Sequence, residues 1–314
     1  MDITEQIISE AIAEKMQPYI DEVNNGQGNK SWLDEFDFSV EEIEYAKSKI
    51  VNKSKCEDSY TWGIDCIDKK ITTPKKGKVI LLVSDENTGK STFCYFFARK
   101  NYIKYDHKVV YFNLEQTKEE VINDMAIQYS GLSKIEIRDN THFANDLYKK
   151  RKLELETQED IVFIGRKATS TTSMVEIRKR IQDVPMDYLI LDNLTCIEGR
   201  GANRNEEMKN ITLELISLAQ ELDIPILLVH HYRKKSTKTS EVFRETHEIE
   251  GSGALKNLVP IIIQVARTTD PQSVQEENEF HIQEGKLRGG SRKEKITIEH
   301  HKGEFYEGEF GSAF

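Results

Sequence analysis

The stretch Lys78–Phe93, KVILLVSDENTGKSTF, constrains the fold of this 314-residue chain more than any other. Its first half is an unbroken run of Val, Ile and Leu, which predicts a strand buried on both faces. Its second half predicts a helix opening at Lys90. The loop between them, Ser84 to Ser91, has the spacing of a phosphate cradle: a small residue, four variable positions, then Gly89-Lys90-Ser91. Such a loop wraps backbone N–H groups around a phosphate, and the N-terminus of the following helix adds a favourable field. The candidate phosphate-binding residues are therefore Ser84, Asp85, Glu86, Asn87, Thr88, Gly89, Lys90, Ser91 and Thr92. Lys90 is expected to reach the β- and γ-phosphates of ATP, and the Ser91 hydroxyl to ligate Mg2+. Gly89 suits a position where a side chain would crowd the phosphate. The usual first glycine is Ser84 here, so either the loop tolerates a small residue or ATP binding is weaker.

A strand that feeds a helix through a tight loop belongs to a crossover unit, and the chain supplies more of them. Apolar runs recur at Val109–Leu114, Ile161–Ile164, Tyr188–Leu191, Ile224–Val229 and Val259–Val265. Helices are predicted from Lys90 to about Tyr102, from Thr117, from near Ser173, and over about Asn205 to Leu222. Thr117 with Glu120, and Ser173 with Glu176, stand in capping-box register. This alternation predicts an α/β fold with a mostly parallel sheet covered on both faces. The charged segment Asp139–Asp160 is expected to be helix with an insertion-like loop. Residues 280–284, 294–300 and 304–307 suggest a C-terminal antiparallel extension around glycine turns. Ahead of the core, one amphipathic helix is expected after Asp2 or Thr4 and another from Ser39, separated by the polar DEVNNGQGNK. The expected organisation is a helical arm over residues 1–60, a candidate subunit-packing element, and a core over 61–314.

Hydrophobic residues make up 38% of the chain and charged residues 31%, with no apolar run long enough to predict a membrane-spanning helix. MDITEQIISEAIAEKM lacks the pattern of a secretory leader. Cys56, Cys66, Cys94 and Cys196 are scattered without metal-ligand spacing, which suits a reducing cytoplasmic setting. The formal net charge of −10 argues against an evenly cationic surface, but nucleic-acid affinity depends on local phosphate neutralisation. Two local clusters offer it. Tyr232–Ser240, YRKKSTKTS, has four positive side chains and no acidic one, and Lys286–Lys295, KLRGGSRKEK, has five against one.

Three strand-end residues carry the remaining chemistry. Asp192 closes DYLILD and is placed to hold a cation beside Ser91, or else to cap Thr195. Glu115 closes VVYFNLE and is the candidate general base for a water attacking the γ-phosphate. Its alternative use as a helix N-cap is already met by Thr117. His231 follows IPILLV and precedes the basic segment, a position from which it could sense the γ-phosphate and shift that segment. Phe243 is a weaker candidate for stacking a base.

With these residues in place, the chain resembles the RecA-like core of ring-forming replicative helicases, of the bacterial, phage T7 primase-helicase and mitochondrial Twinkle types. The resemblance runs from about Thr61 to Phe305 through SDENTGKSTF, YFNLEQTKEE, LILDNLT, LLVHHYRKK, EIEGSGALKNLVPIIIQVAR and GKLRGG, in that order. It implies an ATP-hydrolysing motor moving 5′-to-3′ on single-stranded DNA as a homo-oligomeric ring, a hexamer. It also implies that Lys286 and Arg288 enter a neighbour's ATP site. The DNA-facing loops would be Gly199–Lys209, with Arg200 and Arg204, and Tyr232–Glu248, with Arg233, Lys234, Lys235 and Lys238. A primase or loader would be a separate chain, or the chain is a helicase domain of a longer protein. The setting would be the cytoplasm, or a host's cytoplasm for a phage protein. Two alternatives share the same motifs: a RecA-like strand-dependent ATPase of recombination or helicase loading, and a structural ATP-binder that hydrolyses little.

Overall fold

The computed structural model describes residues 60–86, 88–132, 134–138, 142–158, 161–167, 172–233, 243–268, 278–287, 295–301 and 304–307. The arm expected over residues 1–60 falls outside them apart from Tyr60, as do Asn87, Lys234, Lys235, Lys238 and Arg288.

The strands are β1 (Val79–Ser84), β2 (Val109–Asn113), β3 (Ile161–Ile164), β4 (Thr172–Ser173), β5 (Tyr188–Asp192), β6 (Ile197–Glu198), β7 (Ile226–His231), β8 (Ile261–Arg267), β9 (Glu279–Leu287), β10 (Ile296–His301) and β11 (Glu304–Tyr306). Between them run α1 (Asp65–Lys70), α2 (Lys90–Tyr105), α3 (Lys118–Tyr129), α4 (Lys134–Arg138), α5 (His142–Thr157), α6 (Met174–Ile181), α7 (Arg204–Leu222) and α8 (Ser252–Leu258). Nine strands form one sheet in the order β11-β10-β9-β8-β1-β7-β5-β2-β3, and β4 pairs with β6 apart from it. From β8 to β3 all neighbours are parallel, while β9, β10 and β11 add on antiparallel. The mostly parallel sheet and its antiparallel extension are thus as the sequence predicts.

The apolar runs are continuous because alternate residues serve two cores. Along β1, Ile80 and Leu82 enter the core that holds Phe93, Phe97 and Tyr111. Val79, Leu81 and Val83 enter the opposite one, with Ile211 and Leu215 of α7. Each such side chain stabilises the fold by about 1.5–3 kcal/mol relative to exposure. Phe93 of α2 stacks on Phe280 of β9 at 5.5 Å and meets Phe305 of β11 edge-on at 5.4 Å. That cluster ties the antiparallel extension to the helix that begins at Lys90.

One boundary differs from expectation. The strand predicted over Ile224–Val229 starts after Pro225 and continues through His231, because β1 runs beside it in register to Ser84. The helix expected within Asp139–Asp160 is α5, and residues 139–141 and 159–160 beside it lie outside the described residues. Thr117 caps α3 with the full reciprocal box to Glu120, and Ser173 caps α6 by accepting from the Glu176 N–H. Among the described residues no helix is long and apolar enough to cross a membrane.

Candidate nucleotide-binding site

Parallel strands all present their carboxyl ends at one edge of the sheet, and ligands of open α/β sheets gather at that edge. Here β1, β7, β5 and β2 lie side by side there, delivering Ser84, His231, Asp192 and the Glu115 turn. Gly89 is the N-cap of α2 with φ +92°, in the left-handed region. The nearest atom to a Cβ added there, on Arg267, would lie at 3.8 Å, so backbone conformation is a further reason for glycine.

Lys90 is buried, and its Nζ donates to Ser84 Oγ at 2.8 Å and to the Asp85 carbonyl at 2.6 Å. Burial pushes its ammonium down to about 8, with Asp192 opposing that shift. Ser84 is fully buried; its hydroxyl also donates to the Asp85 carbonyl at 2.7 Å and contacts Thr88 Oγ1. Thr88 Oγ1 donates to the same carbonyl at 2.9 Å. The serine in the first-glycine position is therefore part of the loop's internal bonding and a partner of Lys90.

Ser91 Oγ donates to Asp192 Oδ2 at 2.9 Å, and Tyr111 OH donates to the same oxygen at 2.8 Å. Asp192 is 3% exposed, and burial pushes its carboxyl above the usual range although both hydroxyls favour its charged form. A hydroxyl and a buried carboxylate that meet beside a phosphate loop are the hard oxygen donors Mg2+ takes. Thr195 is capped not by Asp192 but by Asn193, whose Oδ1 accepts the Thr195 N–H at 2.9 Å.

Glu115 sits just past β2 on a turn closed by Asn113 Oδ1, which accepts the N–H groups of Glu115 at 2.8 Å and Gln116 at 2.7 Å. Its carboxylate accepts from Asn193 Nδ2, and the same amide lies 2.8 Å from His231 Nε2. Asn193, 1% exposed, thus joins Glu115 and His231, which are 3.8 Å apart. The His231 imidazole is the main cause holding the Glu115 carboxyl below its usual value, against burial and helped by Lys90 and Asn193. The Glu115 side chain is 51% exposed, so the carboxylate is ionised at neutral pH and open to water. Sequence reasoning missed Asn193 and Tyr111. Asn193 had a signal, an amide directly after the strand-end Asp192, whereas Tyr111 had only a polar tip inside an apolar run.

The other sequence candidates sit elsewhere. Arg200 is exposed and its carbonyl accepts from Asn210. Arg204 opens α7, paired with Glu207 at 2.7 Å and donating to the Thr195 carbonyl at 3.0 Å. Arg233 is exposed, and its N–H donates to the Glu248 carbonyl. Phe243 meets His281 edge-on at 6.5 Å. Lys286 lies on β9, two strands from β1, and donates to the Val259 carbonyl at 3.1 Å. It pairs in register with Ile262, level with Leu81, and β9 runs from there away from the carboxyl edge.

A central parallel strand ending in this lysine loop, with a carboxylate two strands away beside the following serine, defines a RecA-like P-loop NTPase fold. Two solved structures bear out the fold. A DnaB-like replicative helicase described with its interactions with primase matches at TM-score 0.67 and 18% identity, over 96% of this chain and 76% of that one. A structure described as an ATPase domain matches at TM-score 0.68 and 19% identity, over 87% of this chain and all of that one. The chain belongs to the family described as the DnaB-like helicase C terminal domain, whose model matches residues 61–307. Among similar proteins, a probable plasmid replicative DNA helicase of Chlamydia trachomatis is 20% identical over 243 residues, 76% of this chain and 52% of that protein. Replicative DNA helicase DnaB of Buchnera aphidicola is 23% identical over 223 residues, 65% of this chain and 46% of that protein. The chain spans about half the length of the curated relatives it matches.

Proposed function

We propose that the chain is the motor of an ATP-dependent replicative DNA helicase that translocates on single-stranded DNA as a hexameric ring, 5′-to-3′. The observation that carries this reading is the meeting of Lys90, the Ser91–Asp192 pair and the Glu115–Asn193–His231 chain at one edge of the sheet. Lys90 leaves its loop partners to bind the β- and γ-phosphates. Mg2+ held by Ser91 and Asp192 would neutralise charge on those phosphates. Glu115, ionised and held by Asn193, takes a proton from water aligned with the γ-phosphate. His231, bonded to the same amide, registers whether that phosphate is present.

The arginine that completes the site comes from a neighbour. The direction of β9 supports this, since its described residues run away from the carboxyl edge of the sheet as far as Leu287. Arg233, Lys234, Lys235 and Lys238, with Arg200 and Arg204, grip strand phosphates and so follow the backbone with little sequence preference. Residues 1–60 act as an arm for subunit packing. Primase or loader contacts belong to other chains or to a longer form of this one, in the cytoplasm of the cell or of a phage host.

The test is strand displacement on forked DNA with 5′ or 3′ tails, with particle size measured in the same buffer. Tail-dependent unwinding by a six-membered ring is expected. ATP turnover without unwinding, on helical filaments, would favour the recombination-type ATPase instead. Lys90→Ala and Arg288→Ala should each be inactive, and mixing them should restore turnover at hybrid interfaces. Normal activity of Arg288→Ala alone would refute the shared site.

A further inference from the structure

Tyr111 places a hydroxyl where the sequence around it is apolar. All of β2 is buried, and Tyr111 faces the core that also holds Phe93, Phe97 and Ile190. A hydroxyl is kept in such a core where it has a hydrogen-bond partner. The partner is Asp192, whose Oδ2 accepts from Tyr111 OH at 2.8 Å. Strand register brings the two together. Tyr111 pairs with Ile190 and Asn113 with Asp192, so Asp192 stands on the same face two residues further along. Two residues of strand rise about 6.6 Å, a gap that a ring laid along the sheet can cross. The ring itself is packed by Tyr95 of α2 at 4.9 Å and Phe163 of β3 at 6.3 Å, centroid to centroid.

Asp192 Oδ2 thus accepts from two hydroxyls with different duties. Ser91 Oγ, 2.9 Å away, is an oxygen that a divalent cation would take for itself. Tyr111 is fully buried, and its hydroxyl comes from the core. A carboxylate only 3% exposed is costly unless it is hydrogen-bonded. Tyr111 is the donor that remains when Ser91 turns to the cation.

We propose that Tyr111 is a positioning residue for the divalent cation. It keeps the Asp192 carboxylate hydrogen-bonded and aimed while Ser91 exchanges its bond to Asp192 for the metal. This rests on the Ser91–Asp192 pair being the cation site. A ligand oriented in advance by an outer hydrogen bond binds metal more tightly, and loss of such a partner costs about 10–100-fold in metal affinity. Tyr111→Phe removes one oxygen and leaves the aromatic packing in place.

The experiment titrates Mn2+ into the full chain with ADP present, reading free Mn2+ by electron paramagnetic resonance, beside calorimetry of ADP binding in EDTA. Tyr111→Phe should weaken Mn2+ binding about 10-fold or more, with ADP affinity in EDTA within about twofold of the parent. A merely structural tyrosine would weaken ADP with and without metal alike. That result overturns the proposal, and so does Mn2+ affinity equal to the parent's. In an Asp192→Asn background Tyr111→Phe should cost no further Mn2+ affinity, because it acts through that carboxylate. A further loss as large as in the parent overturns the proposal too. Should Tyr111→Phe fail to fold, a fluorotyrosine in place of Tyr111 keeps the hydroxyl and reports by its fluorine resonance. The signal should move when Mg2+ is added to the ADP complex, and a signal that stays overturns the proposal. Two results strike the underlying readings instead. ADP affinity unaffected by Lys90→Ala would overturn the ATP site, and Mn2+ affinity unaffected by Ser91→Ala and Asp192→Asn would overturn the cation site.

Discussion

Ser84→Ala should weaken the folded state and tighten nucleotide binding at the same time. The Ser84 hydroxyl accepts from Lys90 Nζ at 2.8 Å, and on the proposed reading the lysine gives up that bond to reach a phosphate. A hydrogen bond to a charged group stabilises by about 1.5–3 kcal/mol. Lys90 keeps its second partner, the Asp85 carbonyl at 2.6 Å, so the lower part of that range applies. The free state should lose about 1.5–2 kcal/mol. The nucleotide-bound state, in which Lys90 has already left Ser84, should lose much less. The difference appears as affinity, roughly tenfold for each 1.4 kcal/mol, so ATP should bind about 10–25 times more tightly. Urea unfolding gives the first quantity and calorimetric titration with Mg2+ and an ATP analogue the second. Ser84→Gly should show the same gain in affinity with about 0.5–1 kcal/mol of further instability from backbone freedom. Equal or weaker nucleotide binding by Ser84→Ala would refute the reasoning, because the hydroxyl would then be helping the bound state.

Glu115→Gln should lower ATP turnover by about 10²–10⁴-fold, the usual range for a general base, with analogue binding nearly unchanged by calorimetry. Turnover near the parent rate would remove Glu115 from the chemistry. Gly165→Ala should destabilise the fold by about 1–3 kcal/mol or more, since the new Cβ would lie 1.8 Å from the Lys118 backbone nitrogen at the start of α3. An unchanged urea midpoint would contradict that contact. Burial holds the His230 imidazole down to about 4, below its ordinary 6.5. Between those values the unfolded chain binds a proton that the native one does not, so stability falls as pH drops from about 6.5 towards 4. The loss is on the order of 3 kcal/mol at 1.36 kcal/mol per unit. Urea midpoints at pH 7.5 and 5 should therefore differ less in His230→Asn than in the parent, and an equal difference would sink the assignment.

The sequence showed the strands because both of their faces are buried, so each reads as an unbroken apolar run. It pointed to the loop between β1 and α2 because Gly89, Lys90 and Ser91 are neighbours in the chain. The ends of strands were less legible: β7 reaches His231 only because β1 extends beside it. Sheet order was not legible at all, since no local pattern says that β7 and β5 lie between β1 and β2. For that reason Asn193, which bonds to a glutamate 78 residues away and a histidine 38 residues away, could not be found from spacing. Tyr111 escaped for the same cause: its partner Asp192 lies 81 residues later. Its sequence neighbours gave no sign of the meeting.

The strand order also accounts for the division of labour proposed for the site. Neighbouring strands lie about 4.8 Å apart, so three spacings put the tips of β1 and β2 about 14 Å from each other. A base on β2 cannot touch a lysine loop on β1 directly across that gap. A terminal phosphate bound to the loop, with a water beyond it, spans most of the distance. The two intervening strands supply its floor: β7 gives His231, and β5 gives Asp192 facing Ser91 on one side, followed by Asn193 facing Glu115. A carboxylate on β7 instead would crowd the phosphate anion. One on β3, a strand farther out, would be too distant to polarise the water. Glu115, just past β2, therefore lies where the proposed base could act on water without repelling the phosphate.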